Sequence, residues 1–333
     1  MARSHLTLAA LATSAVAGLD AVSAASFGSN QGSDFDAAII TGRDGRHWII
    51  RVPRNPQAEL QQSADLVALR ALSTGVRTRL PFAVSSFVGQ VPVDSTRAIV
   101  YEFVYGGKVP LNSFTSGPDS LAASVGRAIA AIHALPTSCV ADAGLPVMTS
   151  NECLRSCVSV MDRAAATALV PASLLGRWER ATEDAKLWQF QPTVINGALA
   201  ADSFLSADDG VTGVLGWHEL RVGDPARDLQ WILGSHSDAI IDSTFDAYSR
   251  LRGAGDRQLK QRATFYAELE VARWLLHGTE ARSTEIVDDA VEMLTALADN
   301  LRNDVMNPLA ANTMPTMAVD EIEAMLDRTE RAV

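Results

Sequence analysis

Residues 193–229, TVINGALAADSFLSADDGVTGVLGWHELRVGDPARDL, decide how this chain is read. The stretch opens on an apolar run, Thr193-Val194-Ile195, that reads as a strand. Asn196-Gly197-Ala198-Leu199 follows. Two further strands then flank the turn Asp208-Asp209-Gly210, and the second ends at Val214-Leu215-Gly216-Trp217. Gly223-Asp224-Pro225 and Asp228-Leu229 close the segment. Ala198 has no group that could accept a proton, and Gly216 has none that could bind a metal.

Length and composition bound what surrounds it. At 333 residues the chain suffices for one large or two small domains with a packed core. A hydrophobic share of 47% against 20% charged residues describes a globular chain, not a disordered one. The net charge of −11 argues against nucleic acid, whose phosphates it would repel, and suits solubility or a cationic small substrate. Only Lys108, Lys186 and Lys260 supply lysine among 28 basic residues, so an arginine in a usual lysine position says little by itself. Cys139, Cys153 and Cys157 lack the paired spacing of a disulfide framework or zinc site and read as reduced, small hydrophobic residues. Arg3, the apolar run 6–19 and Val22-Ser23-Ala24 imitate a secretory signal, but Asp20 interrupts it. The preferred reading is a first helix packed on the protein, in a cytoplasmic chain. With no run of roughly 18 apolar residues, no transmembrane helix is expected.

Periodicity divides the chain into a β-rich front and a helical remainder. Strands are expected at Ala21–Phe27, Phe35–Thr41 and His47–Val52, a helix at Pro56–Leu72, and strands at Ala83–Val88 and Ala98–Val104. Gly106-Gly107 marks a crossover. Beyond it, Asp119 is placed to cap a helix running to Leu135. Helices follow at Cys153–Leu169, Pro171–Trp188, Leu229–Ser235, Ser243–Leu251, Gln258–Leu276 and Thr284–Arg302, with an acidic tail helix at Val319–Thr329.

The 193–229 segment resembles the catalytic stretch of the aminoglycoside and macrolide phosphotransferases, small-molecule kinases with a protein-kinase-like fold. In that family an apolar strand leads into His-Gly-Asp-Leu, an Asn or His follows, and a second strand ends in Asp-Trp before Gly-Asp-Pro and Asp-Leu. Gly197, Leu199, Trp217, Gly223, Asp224, Pro225, Asp228 and Leu229 keep this frame. The resemblance implies an α+β, bilobal fold: a small β-rich N-lobe over 1–105 and a larger helical C-lobe over 106–333, with the catalytic loop inside 193–229.

It also implies where the chemistry would lie. Asn196 stands for the family His, Ala198 for the proton acceptor, Ser203 for the later Asn or His, and Gly216 for the metal-binding Asp. Phosphoryl transfer needs that carboxylate and oxygen ligands that hold Mg²⁺ on the nucleotide. Arg51 occupies the position of the phosphate-contacting lysine, with Asp65 as its acidic partner on the next helix. Glu102 and Val104 belong to the lobe hinge, whose backbone would bond an adenine, and the loop Gly28–Ser33 lies where phosphates are covered. Asp224 and Asp228 match positions that brace the catalytic loop, and His133 reads as a packing residue.

The leading reading is therefore a catalytically impaired or inactive pseudoenzyme that keeps the fold and binds nucleotide or a small molecule. ATP and Mg²⁺ are the cofactors the resemblance implies, with the metal's usual ligands lost. One alternative is an active ATP-dependent kinase of a macrolide, aminoglycoside or related antibiotic, in which Asp202 and Glu219, with His218, replace the missing metal ligands. Another is a binding protein that uses no nucleotide.

Overall fold

Helix α1 (His5–Ala15) begins where the Ser4 hydroxyl accepts the Thr7 amide, and it turns Leu8 and Ala12 inward. In this computed structural model, which describes residues 3–28, 34–253 and 255–303, α1 lies across a β-sheet. The contact is close: a Cβ on Gly89 would fall 2.1 Å from the Ala15 carbonyl oxygen, so only glycine fits there. The loop after Gly28, expected to cover phosphates, and the expected helix Val319–Thr329 lie outside the described residues.

The sheet is built from β1 (Ala21–Ser26), β2 (Phe35–Gly42) and β3 (His47–Pro53), which precede helix α2 (Pro56–Ala71), the single turn α3 (Thr74–Arg77) and the short β4 (Ala83–Val84). Strands β5 (Phe87–Val93) and β6 (Thr96–Glu102) complete it in the order β1-β2-β3-β6-β5, antiparallel throughout. Ala38, Ile40, Ile50 and Val52 alternate along β2 and β3 and form one core with Leu8 and Ala12 of α1. Asn55 caps α2 by accepting the Ala58 amide at 2.8 Å, and Pro56 takes the first helical position.

The single strand expected over Ala83–Val88 is two. Val84 pairs in parallel with Val214 across the molecule, while Phe87 joins β6. Between them the Arg77 guanidinium takes the Val84 and Ser85 carbonyls at 2.9 and 3.0 Å, so those groups are withdrawn from either ladder.

The helical part comprises α4 (Leu121–His133), α5 (Ser138–Ala141), α6 (Ser150–Ala165), α7 (Ala172–Glu183), α8 (Asp238–Arg252), α9 (Leu259–Ala281) and α10 (Thr284–Asn303). Ser120, not Asp119, caps α4, its hydroxyl accepting the Ala123 amide at 3.2 Å. Thr149 and Glu152 form a reciprocal capping box that starts α6 three residues before the expected Cys153. Helix α7 stops at Glu183, short of Trp188, whose indole instead donates back to the Ala181 carbonyl at 2.9 Å. Residues Gln230–Gly234 form a 3₁₀ turn rather than an α-helix. Helices α4 and α8 cross backbone to backbone, since a Cβ on Gly126 would lie 2.2 Å from the Thr244 carbonyl oxygen.

Two small sheets connect the halves. Strands β7 (Thr193–Ile195) and β10 (Arg221–Gly223) pair antiparallel, and β8 (Phe204–Ala207) and β9 (Gly210–Val214) form a hairpin joined by β4. Asp208 and Asp209 both take left-handed backbone in the expected hairpin turn. The crossover rests on this hairpin: Gly107 and Ser206 exchange two 2.9 Å backbone hydrogen bonds, and Thr212 Oγ1 donates to the Tyr105 carbonyl at 2.6 Å.

Candidate functional site

The loop after β7 is held from below by one buried carboxylate. Asp228, with no solvent exposure, accepts the Asn196 amide on Oδ2 and the Gly197 amide on Oδ1, each at 2.7 Å. Its Oδ2 also accepts from His133 Nε2 at 3.2 Å, while His133 Nδ1 meets the Tyr248 hydroxyl at 2.9 Å. A carboxylate only accepts, so His133 Nε2 is the donor to Asp228. His133 is thus a packing and hydrogen-bonding residue, as expected from sequence.

Asn196 ties the loop to the second motif strand. Its Nδ2 donates to the Gly216 carbonyl at 2.9 Å, and its Oδ1 accepts the Ala198 amide at 3.2 Å. An amide can do both at once because it carries a donor and an acceptor on one planar group. Gly197 has φ +87° and sits where a Cβ would be 2.6 Å from the Glu219 carbonyl oxygen, so both backbone and space demand glycine. Ala198 presents only a methyl group beside this frame. The Ser203 hydroxyl accepts the Ala200 amide at 3.1 Å and closes the loop on itself.

Gly216 also has φ +74°, with open space around its would-be Cβ. The next amide, Trp217 N–H, donates to Asp65 Oδ1 at 2.7 Å, so α2 reaches across to the motif strand. The expected Arg51–Asp65 ion pair is not formed. The Arg51 guanidinium lies over the Phe35 ring, 3.9 Å from its centroid, and acts on Asp65 only through space. The shorter reach of aspartate is spent on the Trp217 amide. Burial raises the Asp65 pKa, against the lowering effects of Trp217, Arg51 and His218. Burial lowers the His218 pKa, and its ring lies 3.2 Å from Gln61 Nε2.

The carboxylates proposed to replace the lost metal ligands are not assembled. Asp202 is turned to solvent, its side chain 75% exposed, with Lys108 Nζ at 3.5 Å. Glu219 pairs with Arg221, and His218 faces Gln61. Among the described residues no group of three His, Cys, Asp or Glu side chains is placed to hold a metal. With those side chains facing different neighbours and no side chain on Gly216, the residues present do not fit Mg²⁺.

The hinge side is differently equipped. Glu102 uses its amide on the Ser86 carbonyl and its carboxylate on Arg46. Phe103 donates its amide to the His47 carbonyl. Val104 packs onto Gly213 of β9, its Cγ1 2.4 Å from a would-be Cβ, and its amide has no protein acceptor among the described residues.

Several residues of the region were not singled out from sequence as site residues. Arg262 of α9 is fully buried and holds Asp224 through Nε at 2.8 Å and Nη2 at 3.2 Å, with Asp256 at 2.5 Å. Burial works against its charge, but Asp224 and Asp256 beside it raise its pKa. Arg221 and Arg227, six apart in the quoted stretch, meet Arg273 from α9 at one pocket. Nothing in local sequence brings residue 273 to that place.

Comparison with known proteins agrees with this architecture. The sequence model of the family described as "Phosphotransferase enzyme family" matches residues 29–275. The uncharacterized protein YcbJ of Bacillus subtilis (strain 168) is 22% identical over 276 residues, spanning 80% of this chain and 89% of that protein. The apoenzyme of macrolide 2'-phosphotransferase MphH from Brachybacterium faecium superposes with a TM-score of 0.72 at 23% identity, over 87% of this chain and 98% of that one. A GDP complex of aminoglycoside 2'-phosphotransferase-IIIa gives 0.71 at 18% identity, over 90% and 100%. These likenesses establish the kinase-like fold, with its antiparallel sheet in the N-lobe and helices in the C-terminal region. No helix among the described residues is long and apolar enough to cross a membrane.

Proposed function

Since the chain belongs to the phosphotransferase enzyme family, we propose that it is a catalytically impaired member that retains nucleotide binding at the hinge and a small-molecule ligand beside the loop. One observation carries this reading: the loop is fully braced by Asp228 and Asn196, yet presents a methyl group at the proton-acceptor position. A positioned acid or base contributes about 10²–10⁴ in rate, and the metal's ligands are gone as well. The residues that remain do other work. Asn196 fixes the loop to the Gly216 carbonyl, Asp65 fixes Trp217, and the Val104 amide offers adenine a donor. Arg51, resting on Phe35 and acting on Asp65 through space, supplies charge for nucleotide phosphates. When bound in active relatives of this kind, Mg²⁺ neutralises developing phosphate charge; no step here is assigned to it.

The test is thermal unfolding of the full chain with ATP or ADP, each with Mg²⁺ and with chelator. A ligand at about 100 times its dissociation constant stabilises by roughly 2.7 kcal/mol. The expected result is a nucleotide shift that survives chelation, no turnover of macrolide or aminoglycoside panels by the wild type, and turnover after Asn196→His, Ala198→Asp, Ser203→Asn and Gly216→Asp are combined. The open space at Gly216 accommodates that carboxylate, at about 1–2 kcal/mol for left-handed backbone. A shift that requires Mg²⁺, together with wild-type turnover, would instead establish an active kinase. Absence of any nucleotide shift would leave a nucleotide-independent binding protein.

A further inference from the structure

Beside the loop that carries Ala198 lies a pocket of about 330 Å³, its open mouth included, between α6, α9 and the β7–β10 pair. Three arginines line it: Arg221 from β10, Arg227 from the turn after Asp224-Pro225, and Arg273 from α9. Asp224 is the acidic side chain in the lining, and its two oxygens are already taken by Arg262 and the Ala226 amide. Among the described residues no carboxylate pairs with Arg227. Its Nε donates to the Gly197 carbonyl at 3.0 Å, which leaves its terminal nitrogens for another acceptor. Arg221 and Arg273 do have partners, Glu219 and Glu270, but those side chains keep 39% and 42% exposure. Each pair thus has one partner open to solvent screening. Burial lowers the Arg221 pKa and Arg227 and Arg273 lower it further, while Asp228 acts the other way.

We propose that this pocket binds an oxyanion, the phosphate or carboxylate of a small molecule lying against the loop. Guanidinium groups present forked donors that match such oxygens two at a time, and three of them line this pocket, where the buried Asp224 is already held by Arg262. The sign is opposite to that of the whole chain, whose net charge of −11 would suit a cation. Contact between Arg227 and Gly197 places the anion's neighbourhood next to Ala198. This narrows the ligand class and rests on the reading above for the ligand being a small molecule.

Calorimetric titration of the full chain with sodium phosphate and with sodium malonate, at constant ionic strength against a chloride blank, tests it without nucleotide. Saturable binding is expected, weakened about tenfold or more by Arg227→Gln and by Arg273→Gln separately. Arg43→Gln, an exposed arginine paired with Asp20 on the sheet, should leave it unchanged. Thermal midpoints of the unliganded variants verify folding, and Arg273, partly exposed on a helix, is the safer substitution. Phosphate binding alone assigns a phosphorylated ligand or free phosphate, and malonate binding alone a carboxylate. No saturable heat from either anion overturns the proposal, as does binding that falls with Arg43→Gln but not with the pocket variants. A nucleotide shift without anion binding would sink the anion site and leave the impaired-kinase reading standing; the reverse pair of results would do the opposite.

Discussion

Replacing Asp228 by alanine should unfold the site before it touches any ligand. The wild-type carboxylate accepts two buried backbone amides at 2.7 Å and the His133 ring at 3.2 Å. A buried donor stripped of its acceptor costs about 1–3 kcal/mol, and bonds to a charged group lie at the upper end of that range. Two amides therefore sum to roughly 3–5 kcal/mol, since alanine offers neither amide an oxygen. Trp217 and Trp231 lie in the same core, so urea unfolding followed by tryptophan fluorescence reports on it directly. The variant's midpoint should fall with little change in slope, and its thermal midpoint should drop by roughly 10 °C. Asp228→Asn, which keeps one acceptor oxygen, should lose about half as much. Asp202→Ala provides the comparison within the same loop: its side chain is 75% exposed and faces only Lys108, so a change within about 0.5 kcal/mol is expected. A loss below about 1 kcal/mol for Asp228→Ala would refute the claim that this carboxylate holds the loop.

Other consequences concern the surrounding frame. Arg262→Met strands Asp224 in the core without its partner and should cost about 3–5 kcal/mol, measured by the same urea titration. Gly126→Ala drives a methyl group into the Thr244 carbonyl where α4 and α8 cross, and should lower the unfolding free energy by about 1–3 kcal/mol; an unchanged midpoint would show that the helices separate freely. Asp65 has its pKa raised above 3.8 chiefly by burial, so its contribution to stability is complete below that value and lost as pH rises through the folded pKa. Asp65→Asn keeps an acceptor for the Trp217 amide and removes the charge; its advantage over wild type should be greatest near pH 7 and close toward pH 4, and a gap that widens on acidification would reverse the assignment.

Sequence alone carried the architecture a long way because its signals are local. Alternation in 35–53 specified β2 and β3, the Asp208-Asp209-Gly210 turn specified a hairpin, and the glycine frame around 197 and 223 pointed to the family. That Ala198 and Gly216 carry no functional side chain is equally legible, since a missing group needs no structure to be seen. Partners were not. Asp65 was paired with Arg51 by analogy, yet its oxygen is taken by the Trp217 amide, 152 residues away, because the shorter side chain reaches a backbone donor first. Asp202, His218 and Glu219 looked like a ligand set in sequence, but each points to a different neighbour, Lys108, Gln61 and Arg221. The meeting of Arg221, Arg227 and Arg273 depends on α9 packing against α6 and the turn Pro225–Asp228, contacts that no periodicity encodes. Residue type and spacing determined which groups the loop lacks; only the packing of distant elements decided which charges face one another across the pocket beside it.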